Sequence, residues 1–186
     1  MLKAKSFYFV RHGESEHNNR GVCAGGGTDS PLTIKGEAQA HALKIQLSKI
    51  KIDQVISSPM IRAKQTAEIA AGYLPLIDEN LREIHIGIYE GKQFKEIGDY
   101  VVNLPWDVPI PDGESKAFFT AKITEAFNKW LGEYEGNLLF VAHGFVYATL
   151  LTIIGKTLLS SDLEPKNAML IHFFHNGNDW TVLPCK

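Results

Sequence analysis

The residues with the clearest chemical reach are two histidines and two arginines, each placed just behind a short apolar run. Arg11-His12-Gly13-Glu14 follows Phe7-Tyr8-Phe9-Val10. The tetrad sets a fixed cation beside an imidazole, and Gly13 lets the backbone come close to whatever binds there. A guanidinium holds an anion in a planar fork, and a neutral imidazole can attack an electrophile or move a proton. Taken alone, a histidine at a strand end is more often structural. A second set shifts that balance: His143-Gly144 follows the apolar run Leu138 to Ala142, and Arg62 sits one turn into a helix expected after Gln54-Val55-Ile56-Ser57. Two arginines and two histidines can then converge.

Convergence depends on the elements that carry these residues. Ser6 to Val10, aromatic and β-branched with charge on both sides, predicts a short buried central strand that stops at Arg11. The chain then turns polar and glycine-rich as far as Ser30. Thr33 caps a helix from Ile34 to Ser48, with Ala38, Ala42 and Ile45 as apolar positions. Gln54 to Ser57 reads as a second strand, and Ser58-Pro59 as a capping side chain before a first-turn proline, giving a helix from Pro59 to Ala71. A short strand is expected at Leu74 to Ile77. Asp78 to Ser115, broken by prolines and glycines, predicts a partly irregular lid. Ser115 caps a helix through Trp130 whose apolar face, Phe118, Phe119, Ile123, Phe127 and Trp130, is core. Leu138 to Ala142 is a strand leading into an apolar helix from Phe145 to Ile154. Met169 to Phe174 and Trp180 to Leu183 form a hairpin about Asn176-Gly177-Asn178-Asp179.

Strands alternating with helices imply an α/β fold in three layers, a largely parallel central sheet with helices on both faces. Ligands gather at the carboxyl ends of such strands. Arg11 and His12, Ser57 and Ser58, and His143 and Gly144 all fall there.

A chain of 186 residues, 45% hydrophobic, is long enough for one good core and short for two, so one domain over 1–186 is expected, with a lid at about 85–115. Nineteen Lys plus Arg against 21 Asp plus Glu leave no long-range field for nucleic acid or an anionic membrane, so attraction for an anion must be local. Cys23 and Cys185, one near each end, make no disulfide framework and fit a reducing compartment, the cytoplasm by default. The apolar run before Arg11 is too short for a signal peptide or membrane span. Monomer and homodimer both stay open.

Other chemistries are disfavoured by spacing. A cysteine phosphatase needs an arginine six residues after its cysteine, and that position after Cys23 is Asp29. Gly25-Gly26-Gly27-Thr28 looks like a phosphate loop but has no lysine. His12, His85, His143, His172 and His175 are scattered, without the close pairs a metallohydrolase uses, and the neighbouring arginines would repel a cation. No metal is expected. His172 and His175, in a strand, read as structural.

The Arg11-His12-Gly13-Glu14 tetrad, the segment from Ser57-Ser58-Pro59 through Arg62-Ala63 to Gln65-Thr66-Ala67, and the Ala142-His143-Gly144 ending resemble the histidine phosphatase superfamily, which includes the cofactor-dependent phosphoglycerate mutases. The likeness continues through Asp29 to Thr33 with Gly36, Leu81-Arg82-Glu83 to Gly87, Glu90-Gly91 and Pro111 to Ser115. It implies a phosphomonoester substrate and no cofactor. His12 attacks phosphorus in line, Glu83 protonates the leaving alcohol, and water cleaves the phosphohistidine. For this, the other nitrogen of His12 should donate to a backbone carbonyl in the adjacent loop. Arg11 and Arg62 match the phosphate clamp, His143 the second, cationic histidine, and Asn18 a phosphate-contacting amide. Gly144 lends a backbone N–H, and Ser58 supports the others from behind. As a general acid, Glu83 would need its pKa raised by burial or by neighbouring acids.

Mutase and phosphatase share this constellation. The compact chain resembles the small broad-specificity and α-ribazole phosphatases, which favours hydrolysis; a mutase, or a silent phosphate-binding relative, is the alternative. Ile86, Ile88, Tyr89, Phe94, Tyr100, Val101 and Trp106 of the lid face either core or pocket. If they face the pocket, an apolar or aromatic phosphomonoester is preferred over phosphoglycerate, whereas Lys92 or Lys95 would instead meet a substrate carboxylate.

Overall fold

Six strands form one mixed sheet in the computed structural model, which describes residues 1–103, 105–156 and 166–185, without the side chains of 99–102. They are β1 (Phe7–Arg11), β2 (Gln54–Ser57), β3 (Leu76–Ile77), β4 (Leu138–Ala142), β5 (Leu170–His175) and β6 (Trp180–Pro184), in the order β3-β2-β4-β1-β5-β6. The first four run parallel, whereas β5 lies antiparallel to β1 and β6 to β5. The parallel part of the sheet is thus extended by the expected hairpin, in which four residues join β5 to β6, too few for a parallel crossover.

Alternation along the strands gives each face its own apolar set. Phe7, Phe9, Leu138, Phe140, Ala142 and Phe173 pack with α5 (Lys116–Glu133) and α6 (Gly144–Ile153). Val10, Val55, Leu139, Val141 and Leu170 pack with α2 (Ile34–Leu47) and α3 (Ile61–Ala71). Rings dominate the first side: Phe7 stacks on Phe173 at 4.7 Å between centroids, and Phe127 lies 4.1 Å from Phe140. Each buried ring contributes about 1.5–3 kcal/mol by leaving water.

On the other side α2 turns a different face inward from the one expected. Gly36, Ala40, Leu43 and Leu47 are buried, while Ala38, Ala42 and Ile45 are exposed. Steps of four, three and four keep the buried set on one stripe. Its Leu43 and Leu47 pack with Ala63, Ala67 and Ala70 of α3. At Gly36 a Cβ would collide with the carbonyl of Glu14, which brings the first turn of α2 hard against the segment after His12.

Helix α3 also starts later than expected, at Ile61 and not at Pro59. Ser58 Oγ accepts the Met60 N–H at 3.3 Å, but the Ile61 N–H goes to Asp29 Oδ2 at 2.6 Å, a cap from a distant loop. Helix α5 begins as expected, with Ser115 Oγ accepting the Phe118 N–H, yet Phe118 itself is exposed and Phe119 holds the core position.

The lid is more regular than its composition suggests. It holds 3-10 turns at Glu79–Leu81 and Gly87–Tyr89 and the helix α4 (Phe94–Val102). A short helix, α1 (Glu16–Asn19), comes after the His12 segment, and Val22 bridges to Gln93. Cys23 N–H donates to Lys92 O and Gly26 N–H to Ile84 O, both at 2.8 Å, zipping the glycine-rich loop to the lid. Among the described residues no helix is long and apolar enough to cross a membrane.

Candidate active site

Because β1, β2 and β4 run parallel, they end at one edge, and the ladder continues for one residue past each strand there. His12 N–H donates to Ala142 O at 2.9 Å and Ser58 N–H to Val141 O at 3.0 Å. These bonds set His12, Ser58 and His143 side by side. The rings of His12 and His143 lie 5.2 Å apart.

His12 is 3% exposed and held at both ring nitrogens. Nδ1 lies 2.7 Å from the Gly13 carbonyl oxygen. A carbonyl only accepts, so Nδ1 carries the hydrogen and Nε2 keeps its lone pair, as expected of a nucleophile. That lone pair accepts from Arg62 Nε at 3.2 Å. Burial, then Arg62, then Arg11 hold the imidazole well below the ordinary histidine range, so it stays neutral.

The guanidinium of Arg62 is itself 2% exposed and gripped from outside its helix. Nη1 donates to Asp29 Oδ1 at 2.9 Å and Thr28 O at 3.3 Å, and Nη2 to the carbonyls of Ala24 and Gly25 at 3.4 Å each. Thr66 ties this group to the His12 segment: its Oγ1 accepts the Gly13 N–H and donates to Arg62 O.

Glu83 stands in the same wall, 7% exposed. Burial raises its pKa above the ordinary carboxylate range. The N–H groups of Phe145 and Ile84, at 3.1 and 3.0 Å, oppose that rise, as do Arg62 and Arg11. His143 is wholly buried, with Nε2 2.7 Å from Ser58 Oγ. Ser58 Oγ accepts the Met60 N–H and shares one hydrogen with His143 Nε2, while His143 Nδ1 meets no partner among the described residues. Burial, then Arg62, His12 and Arg11, push His143 well below the ordinary histidine range. Against the expectation of a cationic second histidine, burial beside two guanidinium groups disfavours its charged form.

A cavity of about 520 Å³ opens here, walled by Arg11, His12, Asn18, Arg62, Glu83 and Gly144. His143 and Ser58 lie behind that wall. Asn18 is partly engaged, its Oδ1 accepting the Ser15 N–H at 3.2 Å. The rest of the lining is mostly apolar, with Ile86, Phe94, Trp106, Phe119 and Phe145, although Lys116 also reaches it. Of the lid residues in question, Ile86, Phe94 and Trp106 border the cavity, whereas Ile88, Tyr89, Lys92 and Lys95 do not. The side chains of Tyr100 and Val101 lie outside the described residues. Among the described residues no group of three His, Cys, Asp or Glu is placed to hold a metal ion.

Four contributors carry no signal of their role in the sequence. Asn167 Nδ2 donates to His12 O at 2.8 Å, and Ala168 N–H to Arg11 O. Since β5 is antiparallel, the residues before it meet the edge where the parallel strands end, so a search confined to the carboxyl end of each strand misses them. Asp29 and Glu90 lie within the motif segments, but no spacing signals that Asp29 caps α3 and pairs with Arg62. Glu90 gathers the glycine loop: its Oε2 accepts from Gly25 N–H at 3.0 Å and Thr28 Oγ1 at 2.7 Å, and its Oε1 from Gly27 N–H at 3.0 Å and Ile86 N–H at 3.1 Å. The loop that resembled a phosphate cradle thus already holds an internal carboxylate.

Comparison with known proteins agrees with this geometry. Residues 7–185 match the model of the Histidine phosphatase superfamily (branch 1). The chain is 35% identical over 164 residues to "Putative phosphoserine phosphatase 2" of Hydrogenobacter thermophilus, covering 81% of this chain and 80% of that one. It is 33% identical over 186 residues to "Probable phosphoglycerate mutase GpmB" of Serratia proteamaculans, covering 93% and 86%. The crystal structure of a phosphoglycerate mutase from Thermus thermophilus superposes with a TM-score of 0.76 at 27% identity, over 98% of this chain and 99% of that one. A family match over residues 7–185, relatives at 33–35% identity and a shared fold place this chain in the histidine phosphatase superfamily, to which it belongs.

Proposed function

We propose that the protein is a metal-independent phosphomonoester hydrolase working through a phosphohistidine on His12. The observation that carries this reading is the His12 tautomer: Nδ1–H is spent on Gly13 O, so a neutral Nε2 lone pair stands beside Arg62 at the cavity wall. On substrate binding the phosphate takes over the Arg62 Nε–H and frees the lone pair to attack. Arg11, Arg62, Asn18 and the Gly144 N–H hold the equatorial oxygens, with His143 packed behind them, and two fixed guanidinium charges there supply what a metal would otherwise provide. As the P–O bond breaks, the leaving alkoxide takes the proton of Glu83. Glu83, now a carboxylate, takes a proton from the water that attacks the phosphohistidine, and phosphate leaves with both groups restored.

The apolar lining of Ile86, Phe94, Trp106 and Phe119 suits an apolar or aromatic leaving group. Lys116 at the same cavity supports a second reading, phosphoglycerate mutase-type transfer with the lysine on a carboxylate, in line with the GpmB relative. Phosphate release should be measured from aryl phosphates, phosphoserine and 3-phosphoglycerate, the last with and without its bisphosphate, in chelator and with His12→Ala as control. Release that survives chelator and vanishes in the variant is expected. Isomerisation without release makes the protein a mutase, and neither activity leaves a phosphate-binding relative.

A further inference from the structure

Glu90 lies outside the cavity wall, yet its carboxylate takes four hydrogen bonds, three of them from the loop that cradles Arg62. In a trans peptide the N–H and the preceding C=O point in opposite directions. The peptide between Ala24 and Gly25 offers its N–H to Glu90 and its C=O to Arg62 Nη2. The peptide between Gly26 and Gly27 offers its N–H to Glu90 and its C=O to Arg82 Nη1 at 3.4 Å. Between them, the Gly25 to Gly26 peptide gives its N–H to Ile84 O and its C=O to Arg62 Nη2. Each peptide plane is thus held on its N–H side by the lid and on its C=O side by an arginine. Glycine is needed here because a Cβ on Gly25 would collide with Glu90 Oε1 and Ile84 O.

We infer that Glu90 is a positioning residue, which aims the Arg62 guanidinium at the phosphate subsite by fixing the orientation of the Ala24 to Thr28 peptides. This rests on the reading that Arg62 holds phosphate. Without the carboxylate, three donors of the loop lose their acceptor, the peptides can turn, and the carbonyls that hold Nη1 and Nη2 no longer fix the plane of the fork. The Nε–H that meets His12 Nε2 belongs to that same plane, so the nucleophile is disturbed as well.

The test is a double-mutant cycle read by binding of inorganic phosphate, measured calorimetrically on the full chain, with Glu90→Ala, Arg62→Lys and the pair. Glu90→Ala should weaken phosphate binding roughly tenfold or more, as a misplaced fork does. In the Arg62→Lys background, where no fork remains to aim, removing Glu90 should weaken it no further. Independent losses that multiply would overturn the proposal, since a general loss of fold would act equally in both backgrounds. Glu90→Gln, which keeps one oxygen acceptor, should fall between wild type and Glu90→Ala, and it carries the same cycle if the alanine variant does not fold. Unchanged phosphate affinity in Arg62→Lys would defeat the underlying assignment of Arg62. Unchanged affinity in Glu90→Ala alone would defeat only the role of Glu90.

Discussion

Burial moves His12 and Glu83 in opposite directions, and the proposed chemistry uses both shifts. His12 must be neutral to attack, and its pKa is lowered by burial and the two arginines, so activity should rise with pH only through a limb well below the usual histidine range. Glu83 must be protonated to serve the leaving group, and burial raises its pKa, so activity should fall as pH climbs through that raised value. The substrate's own second ionisation, near about 6, overlaps these limbs. It is common to wild type and variant, so the ratio of their kcat/KM values isolates the glutamate. For an alkyl phosphate the ratio of wild type to Glu83→Gln should be roughly 10²–10⁴ on the acid side of the Glu83 pKa and shrink above it. A good aryl leaving group needs less protonation and should show a smaller ratio throughout. A ratio independent of pH would remove Glu83 from the acid's role.

At the scale of elements, α3 is the part whose anchoring matters most, because Arg62 is its second residue. Asp29 holds it twice, through the Ile61 N–H and through Arg62 Nη1. Asp29→Ala removes a cap worth about 1 kcal/mol and the carboxylate beside a buried guanidinium, which keeps its carbonyl partners; a loss of about 2 kcal/mol is expected from denaturant unfolding. Asp29→Asn keeps an acceptor for the cap and should lose less. Equal stability of Asp29→Ala and wild type would show that α3 is held by packing alone. The strands and most helix starts are legible in the sequence because they rest on local signals: the apolar runs of β2 and β4, and the Thr33 and Ser115 caps. The buried face of α2 is not. Ile45 is large and apolar, yet Gly36 and Ala40 face inward, and at Gly36 the Glu14 backbone leaves no room even for a Cβ. In the candidate site, the residues after parallel strands are legible by rule. Asn167, before an antiparallel strand, and Asp29, acting across a loop, depend on tertiary placement that no spacing carries.

For the molecule as a whole, charge and shape divide the work of recognition. With a net charge of −2, the chain draws no anion from a distance, so the phosphate affinity proposed for it rests on the wall of arginines and histidines at the sheet edge. The remainder of the proposed substrate would meet the lid, where Phe94 and Trp106 are 57% and 50% exposed while bordering the cavity. Rings left half in water at a cavity mouth gain burial when an apolar leaving group covers them, and a carboxylate in the same place gains nothing from them. Phe94→Ala and Trp106→Ala should therefore each lower kcat/KM for naphthyl phosphate roughly tenfold, mainly through KM, and leave inhibition by inorganic phosphate unchanged. Release from 3-phosphoglycerate should be little affected. If phosphate inhibition weakens in step with naphthyl phosphate turnover, the two rings hold the lid in place and the leaving-group preference must come from the inner lining at Ile86 and Phe119. If only the naphthyl substrate suffers, the lid selects the leaving group and the strand ends hold the phosphate, two separable functions on one scaffold.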